Sequence, residues 1–200
     1  MSRFTTFTAT YRIATPMFCG GAGQEAELRL SSFKGALRFW WRTLQWGKVE
    51  DEKDLWATEA GLFGSSDQKY GQSKLRMRLV STDPSPLPKC GSNLGNNLNG
   101  AYYLGYGVMN IKGDFESGRQ PIANGSFVIE LRCGPNLSPD SLEEIQNALV
   151  MLGTVGGLGS KSRKGYGSLT LTSLNRDDST IPLANSPKER LIPILQGLSP

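Results

Sequence analysis

Hydrophobic positions along the chain switch between two periods. Phe4 to Ile13 is β-prone and partly alternating, with threonines between the apolar residues, and reads as a first strand. Further on, Phe33, Leu37, Trp40 or Trp41 and Leu44 recur at three- and four-residue intervals. That spacing predicts a helix from an N-cap at Ser31 or Ser32 to about Trp46, stopped by Gly47. A shorter helical pattern covers Lys53 to Leu62, before Gly64. Lys74 to Val80 alternates cleanly, with Leu75, Met77 and Leu79 on one face and Lys74, Arg76 and Arg78 on the other, a strand with one basic side. Ser126 to Cys133 is a third strand. Ser138 or Asp140 can cap a helix to about Leu152, with Leu142, Ile145, Leu149 and Leu152 as its stripe and Glu143 and Glu144 placed favourably near its start. Ser168 to Leu174 closes the series as a fourth strand.

The stretches between these elements are equally informative. Pro16 to Ala26 holds Gly20, Gly21 and Gly23, and is expected to present exposed, irregular backbone. Residues 83–125 form a long insertion rich in Pro, Gly and Asn, interrupted by Tyr102, Tyr103 and Tyr106. After Asn175 comes a tail in which Ser186 and Glu189 are spaced as a capping box, while Pro193 limits any helix. The order β-α-(α)-β-insertion-β-α-β is that of an α+β, ferredoxin-like fold, the βαββαβ arrangement shared with RRM domains. On this reading residues 1–174 form the domain, with the insertion at about 83–125, and 175–200 a tail or linker.

Composition narrows the function. A chain of 200 residues can bury roughly two-thirds of its unfolded surface without metal or disulfide. Its three cysteines, Cys19, Cys90 and Cys133, are far apart and odd in number, so a reducing cytoplasm is the expected home. No signal segment or run of apolar residues long enough for a membrane is visible, and the protein is expected to be soluble, not exported and without a membrane partner. The sequence contains no histidine, which removes Ser-His and Cys-His pairs, His metal ligands and the commonest general acid-base group together. A formal charge of +4 matters only where it is clustered.

It is clustered twice. Lys34, Arg38 and Arg42 fall at i, i+4 and i+8, on one face of the first long helix, and no acidic residue lies between Leu28 and Lys48. Either this is a solvated face snorkelling over Trp40 and Trp41, or the row grips phosphates. The second cluster lies in Gly153 to Gly167, where Gly156, Gly157, Gly159, Gly165 and Gly167 bracket Lys161, Arg163 and Lys164. A tight turn would need the glycines but not three cations. A phosphate chain would use both, through close backbone approach and charge. The pattern is not a Walker A loop, because Ser160 stands where Gly must precede Lys161, and it is not a dinucleotide fingerprint. Backbone binding of an extended nucleic acid fits better. Lys34, Arg38, Arg42, Gly157, Gly159, Ser160, Lys161, Ser162, Arg163, Lys164, Gly165 and Tyr166 are therefore the expected nucleic-acid contacts. Tyr102, Tyr103, Tyr106 and Met109 are candidates for base stacking or for an ordinary hydrophobic cluster. No catalytic residue, metal ligand or cofactor is assigned. The carboxylates, Glu25 and Glu27 among them, show no singular spacing.

Thr15-Pro16-Met17-Phe18-Cys19-Gly20-Gly21-Ala22, Glu27-Leu28-Arg29, the block from Ser32 to Arg42, Leu62-Phe63-Gly64 and the loop from Gly156 to Gly167 together resemble the RAMP superfamily of CRISPR effector proteins. The resemblance is most marked to the first subunit of the Cmr (type III-B) complex. It implies a ferredoxin-like core binding CRISPR RNA, target RNA or both inside a multisubunit antiviral complex, with other RAMP subunits as partners. RAMP subunits that cut RNA share an aspartate in the loop after the first strand, whereas residues 14–31 here contain Glu25 and Glu27 but no Asp. A non-catalytic subunit is thus expected, with a metal-dependent endoribonuclease using Glu25 or Glu27 as the alternative. Members of this kind are often longer, with a second similar domain.

Overall fold

Strand β1 (Thr5–Ile13) buries every second side chain from Phe7 onward, and that alternation sets the frame for the rest of the chain. The computed structural model of the protein describes residues 4–21, 25–89, 103–108 and 120–198. Its elements follow in the order β1, α1 (Leu30–Gln45), α2 (Glu52–Phe63), β2 (Leu75–Asp83), β3 (Gly125–Cys133), α3 (Pro139–Leu152), β4 (Leu169–Arg176), β5 (Ser179–Thr180) and α4 (Pro187–Gln196). The strands form one antiparallel sheet in the order β2-β3-β1-β4-β5. Its first four members give the ferredoxin-like arrangement expected from the sequence, and the two-residue β5 extends one edge.

The register of β1 on β3 pairs Phe7 with Leu131, Ala9 with Ile129 and Tyr11 with Phe127, so the alternating apolar sets share one face. Helices α1 and α3 cover that face. The Tyr11 ring stacks on Phe127 at 5.5 Å and meets Phe33 of α1 edge-on at 5.4 Å, and its hydroxyl donates to the Leu149 carbonyl of α3 at 3.0 Å. One tyrosine thereby ties together both strands and both helices. Each fully buried apolar side chain here, Leu37 and Leu149 among them, contributes about 1.5–3 kcal/mol.

Local chemistry places several boundaries differently from the sequence reading. Helix α1 starts at Leu30 with Arg29 at its N-cap and no side-chain cap, leaving Ser31 and Ser32 inside the first turn. Asp51 and Ser138 do cap α2 and α3, accepting from the Asp54 and Ser141 amides. The clean alternation of β2 ends at a register shift between Leu79 and Ser81, so Leu79 and Val80 face solvent. The segment after β1 is less exposed than its glycines suggest: Met17, Phe18 and Cys19 are buried, held by bridges from Met17 to Ile122 and Phe18 to Ser160.

The tail also folds further than its proline implies. Ser186 caps α4 through the Glu189 amide at 3.1 Å, as the capping box predicts, and the helix runs through Pro193. Pro193 forfeits one backbone hydrogen bond. Tertiary anchors offset it: Arg190 donates to the Leu171 carbonyl at 2.8 Å and the Ala184 carbonyl at 2.6 Å, and Ile194 is buried. Among the described residues no helix is long and apolar enough to cross a membrane.

Candidate nucleic-acid interface

The glycine-rich loop between α3 and β4 is pinned to the loop after β1. Ser160 donates its amide to the Phe18 carbonyl, Gly167 to that of Pro16 and Leu158 to that of Gly167, all within 2.8–2.9 Å. Thr15 Oγ donates to the Gly165 carbonyl at 2.7 Å and accepts from the Ser168 amide at 2.9 Å. Leu158 and Tyr166 are buried, and the Tyr166 ring packs edge-on against Phe18 at 5.3 Å. Gly159 and Gly167 have positive φ, and a Cβ on them would collide with the Phe18 and Leu158 carbonyls respectively. A Cβ on Gly157 would stand 2.7 Å from the Gly167 carbonyl. These glycines therefore permit close approach, but to the protein's own backbone. At Gly157 and Gly159, expected to admit a phosphate chain, the Gly167 and Phe18 carbonyls lie against the missing side chains, and the Tyr166 ring is buried.

What the pinned loop presents outward is its cations. Lys161 adopts a left-handed conformation (φ 63°), and a 3-10 turn over Ser162–Lys164 follows it, ending at Gly165. Arg163 and Lys164 are exposed, and among the described residues neither they nor Lys161 forms an ion pair. The Arg163 guanidinium sits over the Phe39 ring of α1 at 4.9 Å. Lys161 Nζ lies 3.9 Å from where a Cβ on Gly107 would stand, so it reaches the 103–108 segment, where Tyr103 and Tyr106 are exposed. Tyr102 and Met109 lie outside the described residues. Between this loop and α1 runs a groove of about 430 Å³, bounded by Ala36, Phe39 and Trp40 on the helix side and by Gly157, Ser162 and Arg163 on the loop side.

The row of cations on α1 faces elsewhere. Arg38 pairs with Glu59 of α2 at 2.6 Å, Arg42 approaches the other oxygen of the same carboxylate at 3.4 Å, and Lys34 donates to the Phe63 carbonyl at 2.9 Å. Glu59 is only 3% exposed. Tertiary contact thus supplies the counter-charge that is missing along the helix itself. Lys34 meanwhile satisfies a carbonyl at the end of α2, where a cation also suits the helix dipole. At 3.6 residues per turn, this row is centred roughly 150° around α1 from the Ala36–Phe39–Trp40 side. The two basic features accordingly do not line one trough. They flank α1 on either side, and the ridge between them carries Gly35, which is exposed and, among the described residues, would have nothing within 4 Å of an added Cβ.

Glu25 and Glu27 lie on the chain segment approaching α1, and Glu27 donates its amide to the Cys19 carbonyl at 2.9 Å. Among the described residues, no three acidic or cysteine side chains gather as a metal site would need.

The RAMP superfamily profile matches residues 10–170. The chain belongs to the RAMP superfamily. Similar folds occur in solved structures. Cmr1 from Pyrococcus furiosus, in its apo form, superposes with a TM-score of 0.56 at 19% identity over 85% of this chain and 50% of that one. A chain of the type III-B Cmr-β complex bound to cognate target RNA gives 0.61 at 14% identity, over 98% of this chain and 63% of the other. A chain of a type IV-B CRISPR complex gives 0.56 at 14% identity, over 90% and 93%. The RAMP chain therefore spans about half to two-thirds of the length of the Cmr chains it resembles. No curated protein matches it.

Proposed function

We propose that the chain is a non-catalytic RNA-binding subunit of a type III, Cmr-like CRISPR effector complex in the cytoplasm, holding CRISPR RNA, target RNA or both by the sugar-phosphate backbone alongside other RAMP subunits. The observation that carries this reading is the outward display of Lys161, Arg163 and Lys164 on a loop whose backbone is fixed and whose cations have no ion-pair partner among the described residues. Cations held on rigid backbone without acids beside them suit a polyanion, and arginine suits phosphate in particular.

Gly35 extends the path. A glycine in mid-helix costs about 0.5–1 kcal/mol relative to alanine, and among the described residues nothing stands within 4 Å of where a Cβ on Gly35 would be. An RNA backbone crossing α1 from the loop to Lys34, Arg38 and Arg42 passes over that ridge and gains from its closeness. Ser160, Ser162 and Gly165 stand on the loop's outer side as further contacts, and among the described residues nothing crowds Gly165.

Because backbone contacts carry no sequence information, replacing Lys161, Arg163 and Lys164 together by Ala weakens binding by a similar factor for unrelated short RNAs in an electrophoretic mobility assay. A loss confined to one sequence would overturn the backbone mechanism.

A further inference from the structure

Beside the α1 cations lies a cleft of about 510 Å³, within the range of small-molecule sites, whose walls include Lys34, Arg38, Trp56 and Ser66. Two features of it go unexplained by packing. Trp56 is 51% exposed although it stands on a helix with an apolar side to bury it, and its ring is braced edge-on by Tyr70 at 5.2 Å. Tyr70 in turn lies under Lys69 Nζ at 5.2 Å. The charge is also unbalanced: Arg38 and Arg42 share the single carboxylate of Glu59, and Lys34 forms no ion pair among the described residues. Burial, and after it the neighbouring Arg38, hold the Lys34 ammonium below the usual lysine range. An anion entering the cleft would relieve that second cause.

We infer that this cleft takes one nucleotide unit, its phosphate on Lys34 and Arg38 and its base against the exposed surface of Trp56. A rigid, exposed tryptophan next to cations is the arrangement that stacks bases, worth about 1–3 kcal/mol per base. An acidic peptide would use Lys34 and Arg38 but leave Trp56 without a role. Ser66, exposed at the rim with its hydroxyl free of internal partners among the described residues, can donate to a phosphate or ribose oxygen. The inference deepens the RNA reading of Lys34 and Arg38, since the nucleotide can belong to a bound strand, yet it stands or falls apart from the loop.

The test is a titration of the full chain with adenosine 5′-monophosphate, read by tryptophan emission. Saturable quenching is expected, persisting in the Lys161→Ala/Arg163→Ala/Lys164→Ala variant and lost in Trp56→Phe. Ser66→Glu, an exposed change that brings a negative charge to the rim, weakens binding about tenfold or more. Circular dichroism confirms that both pocket variants remain folded. A short RNA bound less tightly by Trp56→Phe assigns the site to a strand nucleotide, and unchanged RNA affinity with retained quenching by the mononucleotide in the wild type assigns it to a free one. Absence of saturable quenching, equal quenching in Trp56→Phe, or a hexaglutamate peptide binding as tightly as the mononucleotide would overturn the inference.

Discussion

Gly159 and Gly165 share a left-handed backbone, with φ of 84° and 85°, but their surroundings differ completely. At Gly159 a Cβ meets the Phe18 carbonyl, a backbone atom that cannot swing aside, so Gly159→Ala should cost about 2–4 kcal/mol, the sum of an unfavourable φ and a main-chain collision. A Cβ on Gly165 would have nothing within 4 Å among the described residues, and Gly165→Ala should cost only about 1–2 kcal/mol. Chemical denaturation of the two variants checks the contrast, and equal losses would contradict the packing described. Gly35→Ala should move stability and binding in opposite directions: about 0.5–1 kcal/mol more stable, and about fivefold weaker toward RNA. Parallel denaturation and binding curves decide it, and unchanged RNA affinity would remove Gly35 from the path. The sequence marks all these glycines alike. Composition reveals that the chain needs freedom there, but only the fold reveals whether a carbonyl, open solvent or a ligand lies against the missing side chain.

At the scale of elements, α1 is the helix on which both readings turn. Its basic row is legible at i, i+4 and i+8, and so is the lack of any acid within the helix. The compensating Glu59 is not, because it stands on α2, and nothing in local spacing tells which side of one helix meets the next. Glu59→Gln removes the shared charge while keeping the shape. Since both guanidinium groups are partly solvated, the loss should be about 1–2 kcal/mol, below that of a fully buried pair. Freed of Glu59, Arg38 and Arg42 should bind RNA more tightly, with log K against log salt steepening by about 0.7 for each cation released. A folded Glu59→Gln protein that binds RNA more weakly would contradict a nucleic-acid role for this row. The burial of Met17, Phe18 and Cys19 is hidden in the sequence for a similar reason: their partners, Ile122 and Ser160, are more than a hundred residues away along the chain.

Across the whole molecule, the order of elements is legible because each long segment keeps a single period, 2 in β1 and β3 and 3.6 in α1 and α3, and the register of β1 on β3 then forces both helices onto one face. The tail is less legible, because the local cost of its proline shows in the sequence while the anchors from Arg190 and Ile194 do not. The fold fixes the glycine-rich loop against the loop after β1 and turns its cations outward on one flank of α1, leaving a cleft with Trp56 on the other. The central claim is that those loop cations hold RNA electrostatically. Its most direct test is a salt titration of a short single-stranded RNA against the wild type and the Lys161→Ala/Arg163→Ala/Lys164→Ala variant. Three neutralised phosphates predict that the slope of log K against log salt becomes shallower by about 2 in the variant. Identical slopes for the two proteins would contradict the account.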